Sequence, residues 1–298
     1  MTKKLLFALL FATRITQLVA WFNRGKVTIL CYHSVTKQHE SERNDPHKLH
    51  LGVDTFIRHL DYLQAHYQIV SLGEFVRARR EDIKLPANAA VLTFDDGVRN
   101  FLTVVAPLLV KKGMPATAFV MTGERFTQEG ANRNGLNGSW RPEDDNSYLT
   151  WSEVRELAKQ GMEFGSHTCT HRSLTDIPHA QARGELEESL NTLSSYLGSN
   201  SFPLSYPHGK SSQAISRLSE SLGYSCAVTA LLGQNGEECD LFALRRTIVA
   251  SDDDLPTFVA RVSGLTSLYN RIAGLFTVVP AEDLDPSPIG YDPIAAEE

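Results

Sequence analysis

Val91-Leu92-Thr93-Phe94-Asp95-Asp96-Gly97 is a short apolar run that ends in two adjacent carboxylates and a glycine. Val91 and Leu92 read as a buried strand and Asp96-Gly97 as the turn that leaves it, so both acids fall at the strand's C-terminal end. Parallel α/β folds build their active sites there. Two ionised carboxylates side by side repel, and a chain that places them at a strand end supplies a cation or keeps one acid protonated. Taken alone, Asp-Asp-Gly reads equally well as the start of a helix, because Asp is a common N-cap.

A second stretch, Glu163-Phe164-Gly165-Ser166-His167-Thr168-Cys169-Thr170-His171, repeats the arrangement with two histidines four apart. One carboxylate and two neutral imidazoles form a common donor set for a catalytic divalent ion such as zinc, with positions left open for water and substrate. The two stretches together favour a metal site over a helix cap plus two ordinary histidines. Cys169 lies between the histidines and is a rival ligand, read here as a spacer.

The Thr93-Phe94-Asp95-Asp96-Gly97 and Ser166-His167-Thr168-Cys169-Thr170-His171 boxes resemble the first two motifs of the polysaccharide deacetylases, carbohydrate esterase family four. The resemblance runs from about Val27 to Val249 and includes Thr150-Trp151-Ser152-Glu153-Val154. It implies an α/β fold, a distorted (β/α) barrel of seven strands with the helices outside. It also implies a metal-dependent hydrolase that removes N-acetyl groups from an acetylated amino-sugar glycan. In that reading Asp96, His167 and His171 hold one divalent metal ion, expected to be zinc, and Asp95 takes a proton from water. The backbone N–H of His208 shares the oxyanion, with Tyr206 on the substrate side. In a subset of the family the general-acid histidine belongs to an N-terminal Tyr-His box, which Tyr32-His33 matches; no Leu-x-His follows residue 210.

The third motif departs from the family. Where members commonly show Arg-x-Pro-Tyr, this chain reads Ser205-Tyr206-Pro207-His208-Gly209, which on its own is simply a turn. Arg246 is the candidate replacement, because a guanidinium is always charged and can orient Asp95 through two hydrogen bonds; it reads equally well as a surface arginine. Two other functions stay open: a hydrolase of the same fold acting on another amide or ester, and a non-catalytic carbohydrate-binding relative. An intact Asp95 argues against the latter, since a binder has no use for an unligated acid beside a metal.

The chain's 298 residues suffice for one barrel-sized core, and a net charge of −6 with no basic run argues against nucleic acid as a partner. Four cysteines, at 31, 169, 226 and 239, have no CxxC spacing and make neither a disulfide framework nor a structural zinc cluster. Residues 1–25 read as an amphipathic, membrane-proximal helix, with Leu5, Leu6, Leu9, Leu10, Ile15, Leu18, Val19 and Phe22 near helical spacing and basic residues between or flanking them. Packing of this helix on the barrel is the equal alternative. Arg14 breaks the run, no clear cleavage site follows, and the expected location is peripheral to a membrane or in the cell envelope. Residues 26–277 are assigned to the barrel and 278–298 to a disordered acidic tail.

Within the barrel, strands are expected at 26–35, 116–121, 201–206, 224–229 and 243–249, besides the two quoted stretches. Helices are expected at 54–66, 98–112 with a kink at Pro107, 151–159, 178–197, 212–222, 254–265 and 267–276. Loops are expected at Gln38–His50, which holds His39, His47 and His50, and at Thr122–Asn146.

Overall fold

The computed structural model describes residues 2–37, 45, 47–123 and 147–276. The expected loop around His39, most of the one at 122–146, and the tail at 278–298 lie outside them.

Among the described residues the core is a parallel sheet. Its strands are β1 (Thr28–Tyr32), β4 (Gln68–Ile69), β5 (Ala89–Phe94), β6 (Thr117–Val120), β7 (Glu163–Ser166), β8 (Pro203–Ser205), β9 (Cys226–Val228) and β10 (Thr247–Ile248). Seven of them run in the order β10-β1-β5-β6-β7-β8-β9, and the short β4 pairs with the first residues of β5. The segment that ends in β10 nearly closes the ring. Leu244 bridges Val228 of β9, and three residues later Thr247 pairs with Leu30 of β1. The result is a curled, distorted barrel.

The strands read as continuous apolar runs because both of their faces are covered. Side chains alternate along them with period two. Ile29, Val91, Phe119, Val228 and Leu244 fill the inside, while Leu30, Leu92, Phe94, Val120 and Leu204 meet the outer helices. The inner cluster also takes Leu72, Phe75 and Val76 from a helix at Leu72–Arg80, which crosses under the barrel. Its Gly73 N–H donates to Glu163 at the start of β7, and its Arg80 to the carbonyl of Ser225 just before β9. The sequence reading assigns no element to residues 73–80, although Ser71 and Glu74 form a full capping box.

The expected strand at 26–35 is two strands. After β1 the chain turns at His33, and β2 (Ser34–Thr36) pairs instead with β3 (His50–Gly52), so His50 sits in a strand and not in a loop. The expected helix at 98–112 is a π-helical turn at Phe101–Val105 followed by an α-helix, Ala106–Lys112, with Pro107 in its first turn, where a missing N–H costs nothing.

The N-terminal segment forms α1 (Lys3–Ala12) and α2 (Ile15–Phe22), broken where Arg14 takes a left-handed conformation at φ 60°. The C-terminal helices span Leu255–Val262, capped by Asp254, and Leu265–Phe276. Phe7 of α1 is buried against Ala260 and Leu265 of this pair. The single helix expected near the N-terminus is therefore two, Lys3–Ala12 and Ile15–Phe22, both in contact with the C-terminal helices.

Candidate active site

The ends of four strands bring the chemistry together. Asp95 and Asp96 follow β5, His167 follows β7, Ser205 ends β8, and Arg246 directly precedes β10. His33 follows β1, which is the immediate neighbour of both β5 and β10. A pocket of about 280 Å³ opens over these ends; its lining includes His33, Asp95, Asp96, His167, His171, His208 and Arg246.

Asp96 points one carboxylate oxygen at both histidines, with Oδ1 3.4 Å from His167 Nε2 and 3.6 Å from His171 Nε2. The two Nε2 atoms lie 3.1 Å apart. Three donors bound to a single ion at about 2.0 to 2.2 Å would sit about 3 to 3.6 Å from one another, so this set fits one divalent ion. Backbone strain accompanies the convergence. Asp96 has φ 70°, His171 φ 64° and Thr168 φ 63°, left-handed values that non-glycine residues adopt at a cost. Gly97 makes the turn possible at φ 66°, since a Cβ there would stand 2.9 Å from Val120.

The loop between the histidines is fixed from outside. Glu185, on the helix His179–Leu197, accepts the backbone N–H groups of Cys169 and Thr170 at 3.0 and 2.8 Å, and the Thr170 hydroxyl donates to it as well. Thr168 Oγ1 accepts the His171 N–H at 3.0 Å. The Nδ1 of His167 lies 2.8 Å from the carbonyl of Ser205, a contact that makes Nδ1 the protonated nitrogen and leaves Nε2 a free donor for metal. Burial, reinforced by the neighbouring His167, pushes the His171 pKa down to about 3 and keeps that ring neutral. At His167 burial acts in the same direction, but the carboxylates of Asp95 and Asp96 outweigh it and raise the pKa. Cys169 stands outside the three-donor group; burial pushes its thiol up to about 12, where it is a poor ligand.

Asp95 is held by a different partner. Arg246 is fully buried and grips it in a two-pronged contact, Nη1 to Oδ1 and Nη2 to Oδ2, both at 2.7 Å. The remaining donors of the guanidinium reach the Thr229 carbonyl at 2.9 Å and Ser205 Oγ at 3.0 Å. Ser205 in turn donates to Asp95 Oδ2 at 3.2 Å. A serine at the end of β8 thus leaves space for an arginine that arrives from beside β10. Burial alone would raise the Asp95 pKa, but the Arg246 charge overrides it and holds the acid well below the usual carboxylate range. Asp96 is likewise held down against burial, by the adjacent His167 ring and by the nearby His33 and His171.

His33, Cys31 and Asp95 each present a donor atom within 4.8 Å of the others'. Cys31 Sγ donates to Asp95 Oδ2 at 3.6 Å, and burial raises its pKa far enough that it stays a thiol. His208 has φ 57° inside the turn Pro207–Gly209, and its ring centroid lies 4.8 Å from that of His171. Tyr206 lies elsewhere. It is fully buried, its hydroxyl donates to the Phe242 carbonyl at 3.0 Å, and its N–H donates to Val228 in the sheet. The expectation of a substrate or oxyanion role for Tyr206 is therefore corrected: both of its donors are spent in the core. Cys31 was missed by sequence reading, and its position one strand residue before Tyr32-His33 was the available signal.

Three comparisons bear on this geometry. Residues 82–227 match the family model of the polysaccharide deacetylases. The chain is 25% identical over 227 residues to the protein YxkH of Bacillus subtilis, covering 76% of this chain and 72% of that protein. It is 31% identical over 150 residues to the poly-beta-1,6-N-acetyl-D-glucosamine N-deacetylase of Escherichia coli, half of this chain but 21% of that longer protein. The fold is similar to those of the deacetylase PplD of Streptococcus pyogenes (TM-score 0.68, 24% identity, 80% of this chain and 99% of that one) and IcaB of Ammonifex degensii (TM-score 0.62, 20% identity, 80% and 97%). Residues 82–227 are thus similar to the polysaccharide deacetylase family, and the fold to that of solved deacetylases.

Proposed function

We propose that this protein hydrolyses the N-acetyl groups of an acetylated amino-sugar glycan, with Asp95 as base, His33 as acid, and Asp96, His167 and His171 as ligands of one divalent ion, zinc. The observation that carries the reading is Asp95 itself: a buried acid, kept ionised by Arg246, beside three converging donors and inside the same pocket. When bound, such an ion polarises the acetyl carbonyl and lowers the pKa of water.

The remaining work falls to the chain. Asp95, free of the donor set, accepts the proton of the attacking water, and the two-pronged grip of Arg246 fixes which way its oxygens face. His33 delivers a proton to the departing amine, a step that amide cleavage needs because an amide anion is a very poor leaving group. The backbone N–H of His208, at the turn beside His171, donates to the oxyanion. The apolar part of the pocket wall, Leu49, Leu232, Ile248 and Ala250, suits the acetyl methyl. In this assignment Tyr32-His33 plays the part of the N-terminal Tyr-His box.

The test is acetate release from a panel of acetylated glycans, with free amine counted in parallel. Poly-β-1,6-N-acetylglucosamine, chitin oligomers and acetylated peptidoglycan fragments form the panel, with an O-acetylated glycan as control. Equal yields of acetate and amine from at least one amino-sugar glycan are expected, and Asp95→Asn should abolish both. Acetate from the O-acetylated control alone would replace the reading with an esterase.

A further inference from the structure

The helices on the barrel's flank share one buried cluster and leave their other faces bare. Phe7 of α1 packs with Ala260 and Leu265, and Leu6, Leu10, Val19 and Tyr269 lie against them. Away from this cluster Leu5 and Leu9 of α1, Ile15, Leu18, Trp21 and Phe22 of α2, and Leu268 and Ile272 of the last helix are exposed, Phe22 to 70%. The spacings are three or four residues, so each helix bares an apolar stripe. Eight of the twelve large apolar side chains exposed among the described residues are in these three helices, a concentration that marks an interaction surface and not scattered exposure.

Charge identifies the occupant. Residues 2–25, which carry α1 and α2, hold four basic side chains, Lys3, Lys4, Arg14 and Arg24, and no acidic one, in a chain whose net charge is −6, and the last helix adds Arg271 with no acid. A second copy seated symmetrically on this face would set its basic residues against their own counterparts. An anionic lipid surface instead complements them, at about 1 kcal/mol per Lys or Arg near the headgroups. Trp21 and Phe22, edge to face at 4.9 Å, supply the aromatic side chains that favour the headgroup boundary. No single described helix is long and apolar enough to cross a bilayer, and α1 and α2 are bent by 83° at their junction.

We propose that this face docks the protein on an anionic bilayer, with the exposed stripes of α1 and α2 lying in the headgroup region. The start of α1 is beside the pocket. Lys4 Nζ donates to the Asp252 carbonyl at 2.7 Å, two residues beyond pocket-lining Ala250. Docking therefore sets the mouth of the site next to the lipid surface.

The experiment is sedimentation of the full-length protein with vesicles of phosphatidylglycerol and phosphatidylethanolamine, against vesicles of phosphatidylcholine alone. The protein should sediment with the anionic vesicles, less as salt rises, and be released by alkaline carbonate. Leu18→Glu and Phe22→Glu should each weaken binding on the order of tenfold, whereas Val110→Glu, an exposed apolar residue on another helix, should not. Thermal melts of each variant establish that it is folded. No binding, equal effects of all three substitutions, resistance to carbonate, or a lipid-free dimer that Leu18→Glu dissociates would each overturn the proposal. The readout is lipid binding alone, so its failure leaves the catalytic reading untouched.

Discussion

Asp95 and Asp96 are neighbours with the same side chain, and their surroundings separate them. One faces a guanidinium and a serine, the other two imidazoles. The Arg246 grip is the device that keeps Asp95 an anion inside the protein, so removing it makes a pH prediction with a definite sign. In Arg246→Gln burial loses its main opponent, the Asp95 pKa rises, and the acid limb of the pH–rate profile moves to higher pH. Breaking a buried pair also costs about 3 to 5 kcal/mol of stability. Arg246→Lys, which keeps the charge but loses the fork, should retain more fold and show a smaller shift of the acid limb. An unchanged acid limb in both variants would mean that Arg246 only fills space. For His33, replacement by Gln should lower turnover about 10² to 10⁴-fold and leave metal affinity unchanged, the scale for losing a positioned acid. Turnover near the wild-type rate would shift the role to His208.

At the scale of elements, strand ends do the positioning and helices hold them there. The break of β1 at His33, where the chain leaves one sheet for another, frees that side chain to face the pocket. Glu185 pins the loop that carries the two histidines. Elsewhere the packing is imperfect. The helix Val53–His66 buries His59 with neither ring nitrogen paired, stacked on Phe258 at 3.8 Å. Burial, aided by nearby Arg58, drives its pKa down to about 3. The ring stays neutral in the folded state but takes a proton in the unfolded state below pH of about 6.5. Its contribution is therefore complete above that value and lost as pH falls, by about 1.4 kcal/mol per pH unit at the steepest. His59→Phe should flatten the fall of the melting temperature between about pH 6 and pH 5, and an unchanged slope would show that His59 stays protonated or finds a partner. The boxes at 93–97 and 166–171 were legible in sequence because apolar runs ending in turns carry local signals. The helix at Leu72–Arg80 was legible only through its cap, since its charged composition hides a three-residue apolar face. Tyr206 was misread because a motif names a residue without saying where its donors go.

For the whole molecule, alternating strand and helix patterns argue against an antiparallel sandwich and the family resemblance implies the seven-stranded distorted barrel, whose curl brings residues separated by more than 150 positions, such as Thr93 and Arg246, into contact. Nothing local in the sequence marks Arg246 as buried. Its assignment came from the absence of an arginine at Ser205, and ring closure through the 244–248 segment is what sets the guanidinium beside Asp95. The N-terminal segment shows the limit of pattern reading. Its apolar residues exceed what one packed face needs, and only the structure tells Phe7, which is buried, from Leu5 and Leu9, which are not. Ring closure thus gives Asp95 a partner that its neighbour Asp96 does not share, and the account stands on that division of labour. The direct measurement is the bound divalent metal per chain in purified Asp95→Asn and Asp96→Asn proteins, each confirmed as folded by its melt. The account predicts that Asp95→Asn holds metal at the wild-type ratio and turns over no substrate, while Asp96→Asn loses metal. Equal metal content in the two variants, whether retained or lost, would contradict it.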